Sequence, residues 1–338
     1  MNAIYHSIRA VLTLLLAAGC GVYLVRRNIL HEQARRDVSL VVFHLALPCL
    51  LFSSIINAVS VEALRQWWLL PVAAGVHCGI GFLAGLLVVR LSAPQSEFRR
   101  DVIVTTAFGN GAYIPLAIVG VIAADHKALL GDSAAADGIT YVSLYLVVYS
   151  AMQWLVGYPF LTQRPWRELK ATHVISPPII AATAAIVLGL IPWTKAWFCA
   201  PGAPLEIVPR AAGIIGQATV PCALLIIGAN LAHSISLRTV GARALAGAAL
   251  GRFVVVPVLS MIMTVALWRA GWIGSRMMFV VLALQSFMPP AMNLMIMCEI
   301  LGRNKQGMAA MVFWLYLLAI PVLAGWLAVT FWLVQHAA

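Results

Sequence analysis

Charged residues are scarce in this sequence. Asp, Glu, Lys and Arg together make up 10% of the 338 residues, whereas soluble domains carry roughly a quarter. Hydrophobic residues make up 62% of the chain, and its mean hydropathy is +0.95. A chain this poor in charge is not an ordinary soluble protein. The composition therefore predicts a polytopic membrane protein whose surroundings are the lipid bilayer.

Several motifs of enzymes and cofactor-binding proteins are absent. There is no GxxxxGK[ST] phosphate loop and no soluble segment long enough for a nucleotide-binding domain, which argues against an ATP-driven pump. Residues 31–35 (HEQAR) begin like the zinc motif HExxH but end in arginine. The six cysteines lack CxxC spacing, and no aspartate falls within the spans predicted below. We therefore expect free packing thiols, no metal, no cofactor and no enzymatic activity.

Long apolar segments recur throughout the chain. A helix needs about 20 apolar residues to cross a bilayer, and ten segments reach that length. This pattern predicts an all-α fold of ten transmembrane spans joined by short loops. The predicted spans cover residues 7–25, 38–58, 67–89, 102–123, 138–160, 175–193, 208–232, 244–268, 276–299 and 308–335.

The distribution of basic residues predicts the orientation. The net charge of +11 arises from 22 Lys and Arg against 11 Asp and Glu. The basic residues do not cluster on a soluble segment, so no nucleic-acid partner is expected. Fourteen of them follow odd-numbered spans and seven lie on the opposite side. The first set is therefore predicted to be cytoplasmic, with both termini outside a cell membrane such as the bacterial inner membrane.

An internal repeat divides the chain. Residues 48–51 (PCLL) in span 2 recur as residues 221–224 (PCAL) in span 7, and Pro115 in span 4 corresponds to Pro289 in span 9, at offsets of 173 and 174 residues. Each half holds five spans, an odd number, so the halves must lie in opposite orientations, as in inverted-repeat transporters. The predicted units are 1–160 and 174–338, with a cytoplasmic linker at 161–173.

A tandem proline in span 9 predicts a broken helix. Pro289 and Pro290 have no N–H to give to the carbonyls of Gln285 and Ser286, and their rings crowd the preceding turn. At this depth such a break is tolerated only where protein or a wet cavity covers the freed carbonyls. Asn293 adds another polar side chain just after the break. The motif therefore marks either a binding site or a packed proline kink.

Span 4 is weakened at the matching place. Gly109 and Gly111 flank Asn110, and Pro115 leaves the carbonyl of Gly111 without its helical partner. Interrupted spans at corresponding places of two halves are the best sequence indication of a transport site. The pairing favours a binding site over a packing kink.

The two broken spans together predict the chemistry of the site. Asn110 and Asn293 are expected to approach each other where the spans cross, with Tyr113, Gln285 and Ser286 nearby. Amide groups donate hydrogen bonds to a carboxylate, and the N-termini of the half-helices supply positive potential without a buried cation. The predicted substrate is therefore a small organic anion.

Other polar residues within the spans are weaker candidates. His44 and His77 either relay protons along a pathway or form hydrogen bonds between helices, and the second role is commoner. Arg252 in span 8 is expected to reach toward the cytoplasmic face, with a salt bridge or a substrate contact as the alternative. Glu299 is interpreted as the solvated end of span 9, with a place on the proton or substrate pathway as the alternative.

The motifs of spans 2, 4 and 9 resemble those of the auxin efflux carrier family, which includes bacterial relatives of the plant PIN proteins. The resemblance rests on residues 42–52 (VFHLALPCLLF), 108–115 (FGNGAYIP) and 288–293 (MPPAMN) with Glu299, and it covers essentially the whole chain. The short linker lacks the long hydrophilic insert of plant carriers. The chain therefore resembles a compact, bacterial-type member.

This resemblance implies an architecture and a function. It implies two inverted five-helix repeats with helices 4 and 9 broken at prolines and crossing, a fold similar to that of the bile acid symporters. It also implies a scaffold of helices 1, 2, 6 and 7 and a mobile unit of helices 3–5 and 8–10, which moves as an elevator. The implied substrates carry carboxylates, auxin-like or dicarboxylate-like, which contact Asn110 and Asn293. A homodimer is a further expectation of the family.

Two alternatives stay open. One is a sodium-coupled symporter of the bile acid type, although the span 9 break offers Gln285 where those proteins use a carboxylate. The other is a membrane sensor that binds small carboxylates in the same pocket without moving them. The 338 residues contain no recognisable signalling domain that would favour the sensor.

Overall fold

The protein is helical throughout the part that the computed structural model describes, which is residues 2–163, 175–232, 236–301 and 304–336. The regular elements in these ranges are helices, and one isolated β-bridge joins Gly109 to Pro290. The all-α prediction is confirmed. Residues 164–174, which hold most of the predicted linker 161–173, lie outside the described ranges.

Apolar runs bounded by glycine, proline and charged loops set the limits of the helices. Each predicted span coincides with one helix or with two consecutive helices. The main helices are α1 (Asn2–Arg26), α2 (Glu32–Ala58), α3 (Val61–Ser92), α4 (Arg99–Ala107), α5 (Tyr113–Asp125), α6 (Ala134–Leu161), α7 (Pro177–Leu190), α8 (Pro192–Cys199), α9 (Ile207–Leu231), α10 (Ala242–Arg269), α11 (Arg276–Ser286), α12 (Asn293–Leu301) and α13 (Lys305–His336).

Most of these helices are long enough to cross a bilayer. Among the described residues, seven helices have the length and apolar composition of a membrane span, and α7 with α8 makes an eighth if the pair is counted as one. The protein is therefore a multi-pass membrane protein. Helices α7 and α8 meet at 109°, a bend that the span predicted at 175–193 did not include. Pro192 accounts for it, because proline begins a helix well but cannot continue one.

Proline also explains the wide turns inside the long helices. In the described residues, π turns precede prolines at three places: Val42–Ala46 before Pro48, Gln153–Gly157 before Pro159 and Gly251–Val255 before Pro257. A wider turn relieves the crowding between a proline ring and the turn before it. Pro257 leaves the carbonyl of Phe253 without a helical donor, and the indole N–H of Trp326 donates to that carbonyl at 2.9 Å.

The broken spans lie at the centre of the molecule. Residues 101–107 of α4 and 277–286 of α11 are all buried. By contrast, Leu16 of α1, Leu83 of α3 and Ile214 of α9 are exposed on the outer surface. Because the outer surface faces lipid in a membrane protein, this distribution keeps the polar breaks away from the hydrocarbon.

Close helix packing surrounds this centre. Helix α1 packs along the second half of α9, while α2 packs on α7 and on the first half of α9. Glycine permits the closest of these contacts, since a β-carbon on Gly228 would overlap the carbonyl of Ala18 and one on Gly21 would overlap the carbonyl of Leu225. Small residues have this role in membrane helix pairs generally. Helix α3 packs on α4 and α6.

Candidate functional site

The two breaks pair with each other through their backbones. The N–H of Asn110 donates to the carbonyl of Pro289 at 2.7 Å, and the N–H of Ala291 donates to the carbonyl of Phe108 at 3.0 Å. These bonds form the antiparallel bridge between Gly109 and Pro290. They satisfy polar backbone groups that no helix covers, which is the condition for a break inside a membrane.

The prolines take different places in the two breaks. Pro289 and Pro290 lie within the break between α11 and α12, whereas Pro115 lies in the first turn of α5, after the break that follows Ala107. The carbonyl of Gly111 accepts a hydrogen bond from Gln285 Nε2 at 3.0 Å. A side chain of one broken span thus supplies the hydrogen-bond donor that a backbone carbonyl of the other span lacks.

Each predicted asparagine is held by a residue of another helix. Asn110 Oδ1 accepts the backbone N–H of Tyr113 at 3.0 Å, and its Nδ2 donates to the hydroxyl of Tyr316 at 3.0 Å. Asn293 Nδ2 donates to Gln153 Oε1 at 2.9 Å. Within the described hydrogen bonds the two amides do not bond each other. Gln153 and Tyr316 are not among the predicted site residues, since nothing in a sequence places α6 and α13 against these two asparagines.

Both asparagines line one cavity at the crossing. Its volume is about 50 Å³, and its walls come from the two breaks at 109–113 and 291–293, from α6, from Phe43 and Leu47 of α2 and from Pro178 of α7. One water needs roughly 10–15 Å³ by this measure, so the cavity accepts a few waters or one small polar group. None of its lining residues is charged. The side chains of Tyr113 and Gln153 also line it.

The remaining predicted polar residues of the broken spans lie elsewhere. Gln285 and Ser286 are buried in the last turn of α11 and do not line the cavity. Ser286 Oγ donates to the carbonyl of Ala283 at 2.6 Å in its own helix. Glu299 belongs to α12, and its side chain lies outside the part of the chain that the structure describes.

The two histidines differ. His77 is buried, and its Nδ1 lies 3.1 Å from the hydroxyl of Tyr145, so the expected hydrogen bond between helices is confirmed. For His44 that expectation is wrong. Its side chain is exposed, its ring packs edge-on against Phe43, and the described residues offer it no hydrogen bond to another helix.

The expected position of Arg252 is also wrong. Its side chain is 2% exposed and does not reach a membrane face. It points to the crossing instead and donates to the carbonyls of Met288, Thr106 and Gln285. Its neighbour Gly251 packs against Thr106, which brings α10 close to α4 and directs the arginine inward.

Electrostatics favour negative charge in the cavity. Helices α5 and α12 begin at Tyr113 and Asn293, both of which line it, and the positive ends of their dipoles make the potential positive there. A buried polar chain adjoins the crossing: the hydroxyl of Tyr149 accepts the N–H of Gly109 at 2.6 Å, and Tyr149 packs on Tyr145. No described carboxylate opposes this potential at the cavity wall.

Paired broken helices that meet at a buried polar cavity are typical of secondary transporters, so the fold and the site define a membrane transport protein. The comparison with known families agrees. The model described as "Membrane transport protein" matches residues 6–173 and 166–327. The chain belongs to this family, that of the auxin efflux carriers and PIN-like proteins, as the sequence motifs indicated. It is a family of transporters and not of enzymes.

Curated relatives include proteins of a plant and of yeast. Protein PIN-LIKES 6 of Arabidopsis thaliana is 26% identical over 371 residues, covering 89% of this chain and 86% of the relative. Protein PIN-LIKES 1 of the same plant is 24% identical over 370 residues, covering 96% and 78%. An uncharacterized transporter of Saccharomyces cerevisiae is 24% identical over 182 residues, covering 52% and 42%.

Proposed function

We propose that the protein is a secondary transporter of small organic anions and that the anion binds in the cavity at the crossing. One observation carries the proposal: Asn110, in the break before α5, and Asn293, the first residue of α12, line the same uncharged cavity. The family and the yeast relative are transporters by description, and the substrate class is our inference from the residues of the cavity.

The N–H donors left unused on the amides of Asn110 and Asn293 support a carboxylate as the bound group. An asparagine amide has two N–H donors. In Asn110 one donor goes to Tyr316, and the carbonyl oxygen is occupied by Tyr113. In Asn293 one donor goes to Gln153. One N–H on each amide is then left for a ligand, and a carboxylate has two oxygens to accept them.

The same proposal includes the architecture that the repeat predicts. Helices α4 and α5 would form one interrupted span and α11 and α12 another, which brings the count to ten in two inverted halves with both termini outside the cell membrane. Packing supports two groups of helices: α1 packs on α9 and α2 packs on α7 and α9, while α3 packs on α4 and α6. The second group, with its counterpart α10 to α13, would carry the anion in an elevator movement.

The test is flux through the purified protein in liposomes. Wild type would be reconstituted and supplied with labelled carboxylates, one aromatic (indole-3-acetate) and one dicarboxylate (succinate), each beside its neutral amide. We expect uptake of a carboxylate and not of its amide, lost in Asn110→Ala and in Asn293→Ala. Asn57→Ala is the matched control, because the Asn57 amide donates within its own helix to Ser53 O at 2.7 Å.

Two outcomes would contradict the proposal. Unchanged flux in both cavity variants would remove the anion from the crossing. Saturable binding of a carboxylate by wild type without any flux would instead support the sensor function.

A further inference from the structure

Three backbone carbonyls accept hydrogen bonds from Arg252, and the hydroxyl of Tyr149 adjoins the same guanidinium. Its Nε donates to Met288 O at 2.5 Å, its Nη1 to Thr106 O at 3.2 Å and its Nη2 to Gln285 O at 3.3 Å. Among the described residues, no acidic side chain lies within ion-pair distance of this guanidinium. Neutral oxygens therefore compensate the whole charge of a fully buried arginine.

These carbonyls converge because two helices end at the same place. Thr106 is the penultimate residue of α4, Gln285 is the penultimate residue of α11, and Met288 follows two residues after α11 ends. The last carbonyls of a helix lack helical donors and carry the negative end of its dipole. Several carbonyl oxygens aimed at one point form the kind of cage that proteins use for bare cations.

The guanidinium fits against the break because Gly109 has no side chain. A β-carbon on Gly109 would overlap Nη2 of Arg252, so the break in the first broken span closes against this side chain. Gly109 also forms the bridge to Pro290. The cage, the bridge and the arginine are thus parts of one contact between α4, α11 and α10.

We propose that this carbonyl cage is a cation site and that Arg252 is its resident cation. The chain supplies the positive charge that the helix ends require, so wild type takes no metal ion or other cation from solution there. Removing the side chain back to the β-carbon leaves the cage open, and the open cage binds a free cation of guanidinium shape. The site lies behind the anion cavity and holds a ligand of opposite sign.

Thermal stability in the absence of any substrate tests the proposal, so its outcome is independent of the anion hypothesis. Purified Arg252→Ala would be compared with Arg252→Met, in which an apolar side chain fills the cage, and with Arg252→Lys. The matched control is Arg269→Ala on the same helix, where the arginine is exposed. Each protein would be melted with millimolar ethylguanidinium, and with sodium, tetramethylammonium and urea at equal concentration.

We expect a specific rescue. Losing three buried bonds should lower the apparent melting temperature of Arg252→Ala by roughly 5–10 °C, and ethylguanidinium should restore at least half of that loss. Arg252→Met should fall as far and gain nothing, since its cage is filled, while Arg252→Lys should fall less. Arg269→Ala should match wild type throughout, as should wild type in every salt.

Three results would overturn the proposal. The first is an Arg252→Ala protein as stable as wild type. The second is an unstable Arg252→Ala protein that ethylguanidinium stabilises no more than it stabilises Arg252→Met. The third concerns wild type alone. If its melting temperature rises with sodium but not with tetramethylammonium, a second cation enters the crossing.

Discussion

The hydroxyl of Tyr316 in α13 accepts a hydrogen bond from Nδ2 of Asn110 at 3.0 Å. Asn110 opens the second half of a broken span, and its other amide atom is already bonded to the backbone N–H of Tyr113. Tyr316 therefore fixes the direction of the amide, and only one N–H of Asn110 is left to point into the cavity. The contact joins the first half of the chain to its last helix.

Tyr316→Phe should weaken substrate binding without unfolding the protein. One neutral hydrogen bond contributes about 1 kcal/mol, so we expect KM for the transported anion to rise roughly fivefold with little loss of expression. The measurement is initial uptake rate against concentration in liposomes. Tyr23→Phe, which changes an exposed tyrosine of α1, is the control. An unchanged KM in Tyr316→Phe would show that the amide needs no such support.

Gln153→Glu should oppose an anion directly. Gln153 lines the cavity and accepts from Asn293, so a carboxylate there would take up the amide donor and repel a second negative charge. We expect the affinity for the anion to fall by about tenfold or more, equal to about 1.4 kcal/mol. Gln95→Glu introduces the same charge at an exposed loop and should leave transport intact. Undiminished anion binding in Gln153→Glu would mean that the anion does not bind beside Gln153.

Gly228→Ala should destabilise the contact between α1 and α9. The new β-carbon would overlap the carbonyl of Ala18, and forcing it in should cost about 1–3 kcal/mol. Gly19→Ala is the matched control, because a β-carbon on Gly19 would meet no atom within 4 Å. Melting temperatures in one detergent compare the pair. Equal stability of the two variants would contradict the close contact between Gly228 and Ala18.

Trp326→Phe should destabilise the protein, because it removes the donor that replaces the N–H missing at Pro257 of α10. The indole N–H donates to Phe253 O, the carbonyl that Pro257 cannot serve because proline has no N–H. Losing this hydrogen bond should lower the free energy of unfolding by roughly 1–3 kcal/mol. In a Pro257→Ala background the new backbone N–H can serve that carbonyl, and the same tryptophan change should cost less. A double-mutant cycle on unfolding free energies measures the difference. Strict additivity would mean that the two residues act independently.

The sequence predicted those features that depend on local chemistry. Pro289 and Pro290 cannot continue a helix, and Gly109 and Gly111 weaken one, so both breaks could be placed from the residues alone. Apolar length placed the helices for the same reason, because a bilayer sets a minimum length. The bend at Pro192 follows the same chemistry but falls at the end of a predicted span, where hydropathy defines bounds poorly.

Features that depend on the rotation of a helix about its axis could not be predicted. Arg252 and His44 both lie deep in apolar spans, and hydropathy gives their depth but not the side to which they point. The structure turns Arg252 inward to the carbonyls of the breaks and His44 outward. Gln153 and Tyr316 were missed because their roles arise from contacts across 140 and 206 residues. Such contacts exist only once the helices are assembled.

The bridge between Gly109 and Pro290 is made by backbone groups, whereas the wall of the cavity is made largely by side chains. The two hydrogen bonds of this bridge run between backbone atoms of residues 108–110 and 289–291, and they use no side-chain donor or acceptor. Cavity-lining side chains such as Gln153 of α6 and Phe43 of α2 take no part in these backbone bonds. Substitution of Gln153 or Phe43 can therefore change the substrate preference while the backbone bridge between the two breaks is kept.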